Sequence, residues 1–315
     1  MSPFSVLSAL VSTVLVATSM VAAQYPNPGP VSGATFVHDP TMVKVGGTYF
    51  LYATAPGISI KTSTDRTNFR DAGLAFPNGL PWCDSYTESS RNIWAPEVKY
   101  MNNQFYLYYS CSSFGSRHSA TFLATSKTGL SGSWTNKGKV YSTEQGSNFN
   151  AIDPALLVDG GKAWLTLGSF GSGIYQIPVN PSTGLAASTS LTHIAQRTAE
   201  GTAIEGAFIL KQGGYYYLFA AFGKCCQGAS STYRVVVGRS SSPTGPFADK
   251  SGVSMLQGGG TVILDSHGSI HGPGGASAFQ DSDGTVLVYH YYANDGSARL
   301  GINKLDFSRG WPVVV

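Results

Sequence analysis

One short pattern recurs five times along the 315-residue chain and narrows what it can fold into. Each copy is a small turn leading into a strand: His38-Asp39-Pro40, Trp94-Ala95-Pro96-Glu97, Ile152-Asp153-Pro154, Ile204-Glu205-Gly206 and, without an acid, His271-Gly272-Pro273-Gly274-Gly275. Behind each comes an apolar stretch, a turn with glycine or asparagine, and an aromatic-rich strand. These run from Thr41 to Tyr52, Val98 to Tyr109, Ala155 to Leu167, Ala207 to Leu218 and Ala276 to Tyr289. Copies lie about 50 to 70 residues apart, a spacing read as a propeller or solenoid. A hairpin of this kind cannot bury its own apolar faces, so five copies predict an all-β fold: a five-bladed β-propeller whose inner strands open onto a central channel, where any functional site is expected.

A second echo supports the blades. Third strands follow the hairpins and end near Phe69, Trp134 and Phe247, after turn residues that would let the rings pack between neighbours. Alternation of period two is clear in Thr232 to Val237 and Leu300 to Leu305, and nothing after Gln24 shows a helical apolar period.

Residues 1–23 are apolar and rich in small residues, ending Val21-Ala22-Ala23, and read as a secretory signal peptide with Gln24 as the mature N-terminus. Residues 24–315 then form one propeller domain, because the repeat runs through all of it. Charged residues make up only 12% and the net charge of +3 is not gathered in any basic block, which argues against nucleic acid or a membrane as partner. Polar aromatics with few charges suit a neutral, hydroxyl-rich ligand, and a secreted monomer is expected. Four cysteines allow three pairings, and the sequence does not choose among them. Secretion favours oxidation, and Cys83 with Cys111 plus the adjacent Cys225 and Cys226 is the preferred pattern, the second pair being as readily free. No zinc spacing occurs, and the one Asn-x-Ser triplet, at Asn180, is blocked by Pro181.

An Asp before Pro commonly just opens a turn. Asp39, Asp153 and Glu205, however, stand at what reads as one repeat position in three blades, each among apolar neighbours. Carboxylates so placed are seldom kept unless paired, metal-bound or catalytic, and if they meet in one channel they must perturb each other. Glycoside hydrolysis uses such a set: one carboxyl held protonated for the leaving oxygen and one carboxylate on the opposite face of the sugar.

The five motifs, with Cys225-Cys226-Gln227-Gly228 and Ser231-Thr232-Tyr233-Arg234, resemble glycoside hydrolase family 43, nearest its secreted fungal endo-1,5-α-L-arabinanases. The resemblance runs from about Val31 to the C-terminus. It implies endo-hydrolysis of 1,5-α-linkages in arabinan with inversion, Asp39 as general base, Glu205 as general acid, and Asp153 as the residue that raises and orients that acid. It also implies a calcium ion in the central channel, held mostly by water and by the histidine that His271 matches. Trp94, Phe114, Asn150 and Ser169 are the expected substrate-binding residues, by position and resemblance. Glu97 is expected to anchor backbone or a neighbouring blade, His38 to orient Asp39, and His290-Tyr291-Tyr292 to pack near the axis, with contact to an ion or a sugar as the alternative. Exo-arabinanase, α-L-arabinofuranosidase and β-xylosidase are the rival activities on such a scaffold; a non-catalytic sugar-binding propeller is the rival of another class.

Overall fold

The computed structural model describes residues 25–315, so the expected leader and its cleavage point lie outside the described residues. Five sheets follow one another along the chain, each built on an antiparallel meander. Their innermost strands are Thr41–Val45, Asn92–Met101, Ala155–Asp159, Ile204–Gln212 and His271–Asp281. Each of these packs against the next around the full circle, and the fifth returns to the first, which makes the closed five-bladed propeller that the repeat predicts. Among the described residues the only α-helix is the short Asp84–Thr87.

The turns explain the hairpins. The first two strands of all five blades join through two residues, at Ser282-Asp283 in the fifth and, in the first four, at Gly46-Gly47, Asn102-Asn103, Gly160-Gly161 and Gly213-Gly214. In the last three of those four, both residues have positive φ, the backbone that matches the twist of paired strands and that Gly and Asn tolerate.

The core is not central but lies between blades. Phe50, Tyr52 and Ile60 of the first blade meet Phe105, Leu107 and Tyr109 of the second in one buried cluster. Four comparable clusters fill the other junctions, the last joining Leu51 and Ala53 to Val286, Val288 and Leu300. The three strand-exit aromatics land in these seams: Phe69 between the fifth and first blades, Trp134 against Tyr52 and Phe105, and Phe247 between the third and fourth. Burying both faces of every hairpin this way is the main drive for closing the ring.

The ends of the chain complete the closure. Gly29 N–H donates to the Ile302 carbonyl, Leu300 N–H to that of Thr35, and Ser32–Gly33 then adds a parallel strand to the first blade along Asn68 and Phe69. Asp281 of the fifth blade accepts from Lys44 at 3.0 Å and from Tyr49 at 2.6 Å, and pairs with Arg66. Both cysteine pairs are bonded, Cys83 with Cys111 and Cys225 with Cys226.

Candidate active site

The openings of all five inner strands line one cavity of about 1010 Å³, near the upper end of the usual range for ligand sites. Asp39, Asp153 and Glu205 all face it. The backbone explains how they get there. Asp39 (φ 47°), Ala95 (φ 43°), Asp153 (φ 57°), Gly206 (φ 58°) and Gly275 (φ 53°) share a left-handed conformation, each two residues before regular pairing resumes at Thr41, Glu97, Ala155, Phe208 and Ser277. For Asp39 and Asp153 this is a conformation that costs about 1–3 kcal/mol and that marks functional positions. By this register Asp39 and Asp153 are equivalent, whereas Glu205 stands one residue earlier, level with Trp94 and Gly274.

Each acid is held differently. Asp39 Oδ2 receives Thr54 Oγ1 at 2.9 Å and pairs with His38 Nδ1 at 2.8 Å, while its N–H donates to His290 Nδ1 at 3.1 Å. Burial pushes Asp39 up, but the charge and hydrogen bond of His38 outweigh it, with help from His290 and Thr54, and hold the carboxyl at about 2. Burial alone would lower His38; Asp39 raises it instead, so the two form an ion pair. His290, stacked on His38 with ring centres 3.9 Å apart, is pushed down to about 3 by burial and by the charge of His38, and is neutral.

Glu205 is buried, with Oε2 receiving Ser169 Oγ at 2.5 Å and Oε1 receiving the Tyr233 hydroxyl. Burial raises its pKa, the Ser169 and Tyr233 hydrogen bonds oppose the rise, and the negative charge of Asp39 adds to it. Asp153 Oδ2 accepts the Gly206 N–H at 3.0 Å, which ties it to the residue after Glu205. Its own pKa is raised well above the usual range, first by burial, then by the charges of Glu205 and Asp39. A buried and a half-buried carboxyl that resist joint ionisation, beside one that is firmly ionised, form an acid–base arrangement.

The other expected residues divide. Trp94 and Phe114 stand side by side at the cavity with ring centres 5.0 Å apart, and Phe114 is 77% exposed, so an apolar face is open to a ligand. Asn150 lines the cavity, and its Oδ1 is buried with no hydrogen-bond partner among the described residues. Ser169 also lines it, but its hydroxyl is committed to Glu205, so it positions that acid rather than serving only a ligand. Glu97 is buried, receives Thr41 Oγ1 of the first blade at 2.9 Å and pairs with Lys99 at 2.7 Å; it links blades, as expected.

His271 is not brought to the cavity. Its Nε2 meets Asn294 Oδ1 at 2.8 Å, and it is absent from the lining. The fifth inner strand carries two irregularities, between His271 and Gly274 and between Gly274 and Ser277. The extra one moves the channel position from His271 down to Gly274 and Gly275. The residue paired with Gly274 is His290, which is fully buried beside Asp39 and whose Nε2 has no partner among the described residues. Sequence reasoning gave no role to Tyr233 or Thr54, and placed Tyr292 near the axis without a link to His38. Tyr233 opens an alternating strand after a quoted motif, which was a usable signal; Thr54 carries none.

The protein-family profile described as Glycosyl hydrolases family 43 matches residues 28–312. A probable arabinan endo-1,5-alpha-L-arabinosidase A of Aspergillus flavus is 42% identical over 305 residues, covering 92% of this chain and 94% of that protein. Among solved structures, a GH43 endo-arabinanase from Bacillus licheniformis superposes with a TM-score of 0.84 at 40% identity, over 90% of this chain and 99% of the other. An exo-1,5-alpha-L-arabinanase from a bovine ruminal metagenomic library gives 0.84 at 35% identity, over 90% and 98%. With its five blades, its cluster of acids and a match along nearly its whole described length, the chain belongs to glycosyl hydrolase family 43.

Proposed function

We propose that this glycoside hydrolase is an endo-1,5-α-L-arabinanase that cleaves arabinan with inversion at the anomeric carbon. The observation that carries the reading is the meeting of Asp39, Asp153 and Glu205 in one cavity beside an exposed aromatic platform. Asp39, ionised through its pairing with His38, takes a proton from the attacking water. Glu205, raised by burial, gives its proton to the leaving oxygen. Asp153 resists sharing ionisation with Glu205 and holds the backbone beside it through Gly206, which keeps a proton in the pair. Ser169 and Tyr233 fix the Glu205 carboxyl so that the proton is delivered in one direction. Trp94 and Phe114 stack sugar rings, and Asn150 offers them a hydrogen bond.

A calcium ion in the channel fits these residues in one way. The buried, unpartnered His290 Nε2 carries the ring proton, since Nδ1 accepts the Asp39 N–H, so it is satisfied by donating to a channel water and not by binding a cation directly. The group around it, His38, Asp39 and His290, has too few oxygens for calcium, so water must complete most of the shell. Such an ion would be held through a water of its shell that accepts from His290 Nε2, rather than by His271. Bound there, the ion would supply positive charge that favours the ionised form of Asp39.

Secretion belongs to the same reading, supported by the apolar leader and by two disulfides suited to an oxidising compartment. Exo action is the second reading, favoured by the equal likeness to an exo-acting structure. Chromatography of early products from debranched arabinan and from xylan separates the possibilities. Mixed arabino-oligosaccharides are expected; a single short product means exo action, cleavage of xylan alone means another specificity, and binding without cleavage means no enzyme.

A further inference from the structure

We propose that the bonded pair Cys225–Cys226 is a positioning element for Asp39, acting through the Tyr292 hydroxyl and His38, so that opening the bond slows turnover. The inference rests on the reading of Asp39 as the base. The path is continuous. The Cys226 N–H donates to Tyr292 Oη at 2.8 Å, the same oxygen lies 2.8 Å from His38 Nε2, and His38 Nδ1 lies 2.8 Å from Asp39 Oδ2. Protonated in its pair with Asp39, His38 donates from Nδ1 to Asp39 and from Nε2 to Tyr292 and is held at both ends. Cys226 Sγ also lies 3.7 Å from His38 Nε2.

The bond matters because of where the backbone sits. Cys226 has φ 67°, a conformation that residues with a side chain seldom adopt unless something holds them there. A bond between adjacent sulfurs closes an eight-membered ring around the peptide and restrains that dihedral. The flanks are fixed independently: Thr232 N–H donates to the Lys224 carbonyl at 2.9 Å, and Gln227 N–H to Ser231 Oγ at 3.0 Å. Opening the ring lets φ return to negative values between two fixed ends, which turns the Cys226 N–H away from Tyr292. The phenol then loses one of its two anchors, and His38 and Asp39 lose the position that it set.

The pair is also accessible. Cys225 and Cys226 line the cavity and Cys226 is exposed, whereas Cys83 and Cys111 are 1% and 0% exposed. A small dithiol therefore reaches the first bond and not the second in the folded enzyme. In that step the dithiol gives up two electrons and two protons, the Cys225–Cys226 bond breaks, two thiols form, and the reagent closes to its cyclic disulfide.

The experiment treats the folded enzyme with dithiothreitol, measures kcat and KM on debranched arabinan, and maps free thiols by alkylation and mass spectrometry in a parallel sample. Label at Cys225 and Cys226 alone is expected, with kcat lowered roughly ten- to a hundredfold, KM changed far less, and recovery on treatment with oxidised glutathione. Tyr292→Phe, which keeps the bond but breaks the path, is expected to start with a similarly lowered kcat and to lose little more on reduction. If the pair resists the reagent, or the buried bond opens with it, the double variant Cys225→Ser/Cys226→Ser replaces reduction, with the same loss expected. Unchanged kcat with the pair open, a change confined to KM, wild-type kcat in Tyr292→Phe, or an equal further loss in that variant on reduction each overturns the proposal. Asp39→Asn is measured alongside: if it is inactive while reduction is silent, only this inference falls, and if it is active, the reading of Asp39 as base falls first.

Discussion

Gly275 is the glycine whose replacement should be felt most directly at the catalytic centre. It lies on the fifth inner strand at φ 53°, and a Cβ added there would stand 2.4 Å from Asp39 Oδ1 and 2.8 Å from His290 Nδ1. His290 is fully buried and cannot yield, whereas the Asp39 side chain is 20% exposed and can. To reach an ordinary contact of 3.4 Å, the Asp39 oxygen must retreat by about 1 Å. A displacement of that size in a reacting group costs about a hundredfold in rate. The left-handed backbone adds a penalty of about 1–2 kcal/mol for any side chain. Gly46→Ala serves as the control, because Gly46 has φ 59° but open space around its missing Cβ. Gly275→Ala should therefore lose more stability than Gly46→Ala in urea unfolding, by about 1–3 kcal/mol for the crowding against His290, while kcat on debranched arabinan falls about a hundredfold in Gly275→Ala alone. A Gly275→Ala enzyme with the kcat of Gly46→Ala would refute the claim that Asp39 works from the position the structure gives it.

Three further outcomes follow from the same geometry. Asp39→Asn and Glu205→Gln should each lower kcat by about 10²–10⁴-fold with an unchanged circular dichroism spectrum, and near-normal turnover in either would remove that residue from the chemistry. In Tyr233→Phe, Glu205 loses a hydrogen bond that favours its ionised form. The protonated acid then persists to higher pH, so the alkaline limb of kcat/KM should move up; a limb that stays or moves down contradicts the role given to Glu205. Phe114→Ala should raise KM more on long arabinan chains than on short oligosaccharides, and equal changes on both would place that ring outside the binding cleft.

The five blades were legible because each must carry the same physical devices: a Gly or Asn turn, an aromatic strand and an apolar face with no partner of its own. Asp39 and Asp153 were legible for the same reason, each before proline at the same left-handed position. Register was not. A bulge has no fixed sequence signature, so the one-residue offset of Glu205 was hidden, and the second irregularity of the fifth inner strand made His271 look like the channel residue when the strand delivers Gly274 and Gly275 there. His290 reaches the axis as the strand partner of Gly274, a relation that only the paired hairpin reveals. The partners of Glu205 come from other strands, Ser169 lying 36 residues before it and Tyr233 28 residues after it. Hydrogen bonds across blades depend on how the ring closes, and local pattern does not record that.

Inversion requires Asp39 and Glu205 to act from opposite faces of one sugar linkage, with a water between Asp39 and the anomeric carbon. Proton NMR of the first sugar released from a linear α-linked arabino-oligosaccharide, recorded before mutarotation, tests this most directly. The β-anomer should appear first; initial release of the α-anomer would mean that a carboxylate, not water, attacks the sugar, and the assignment of Asp39 would be wrong.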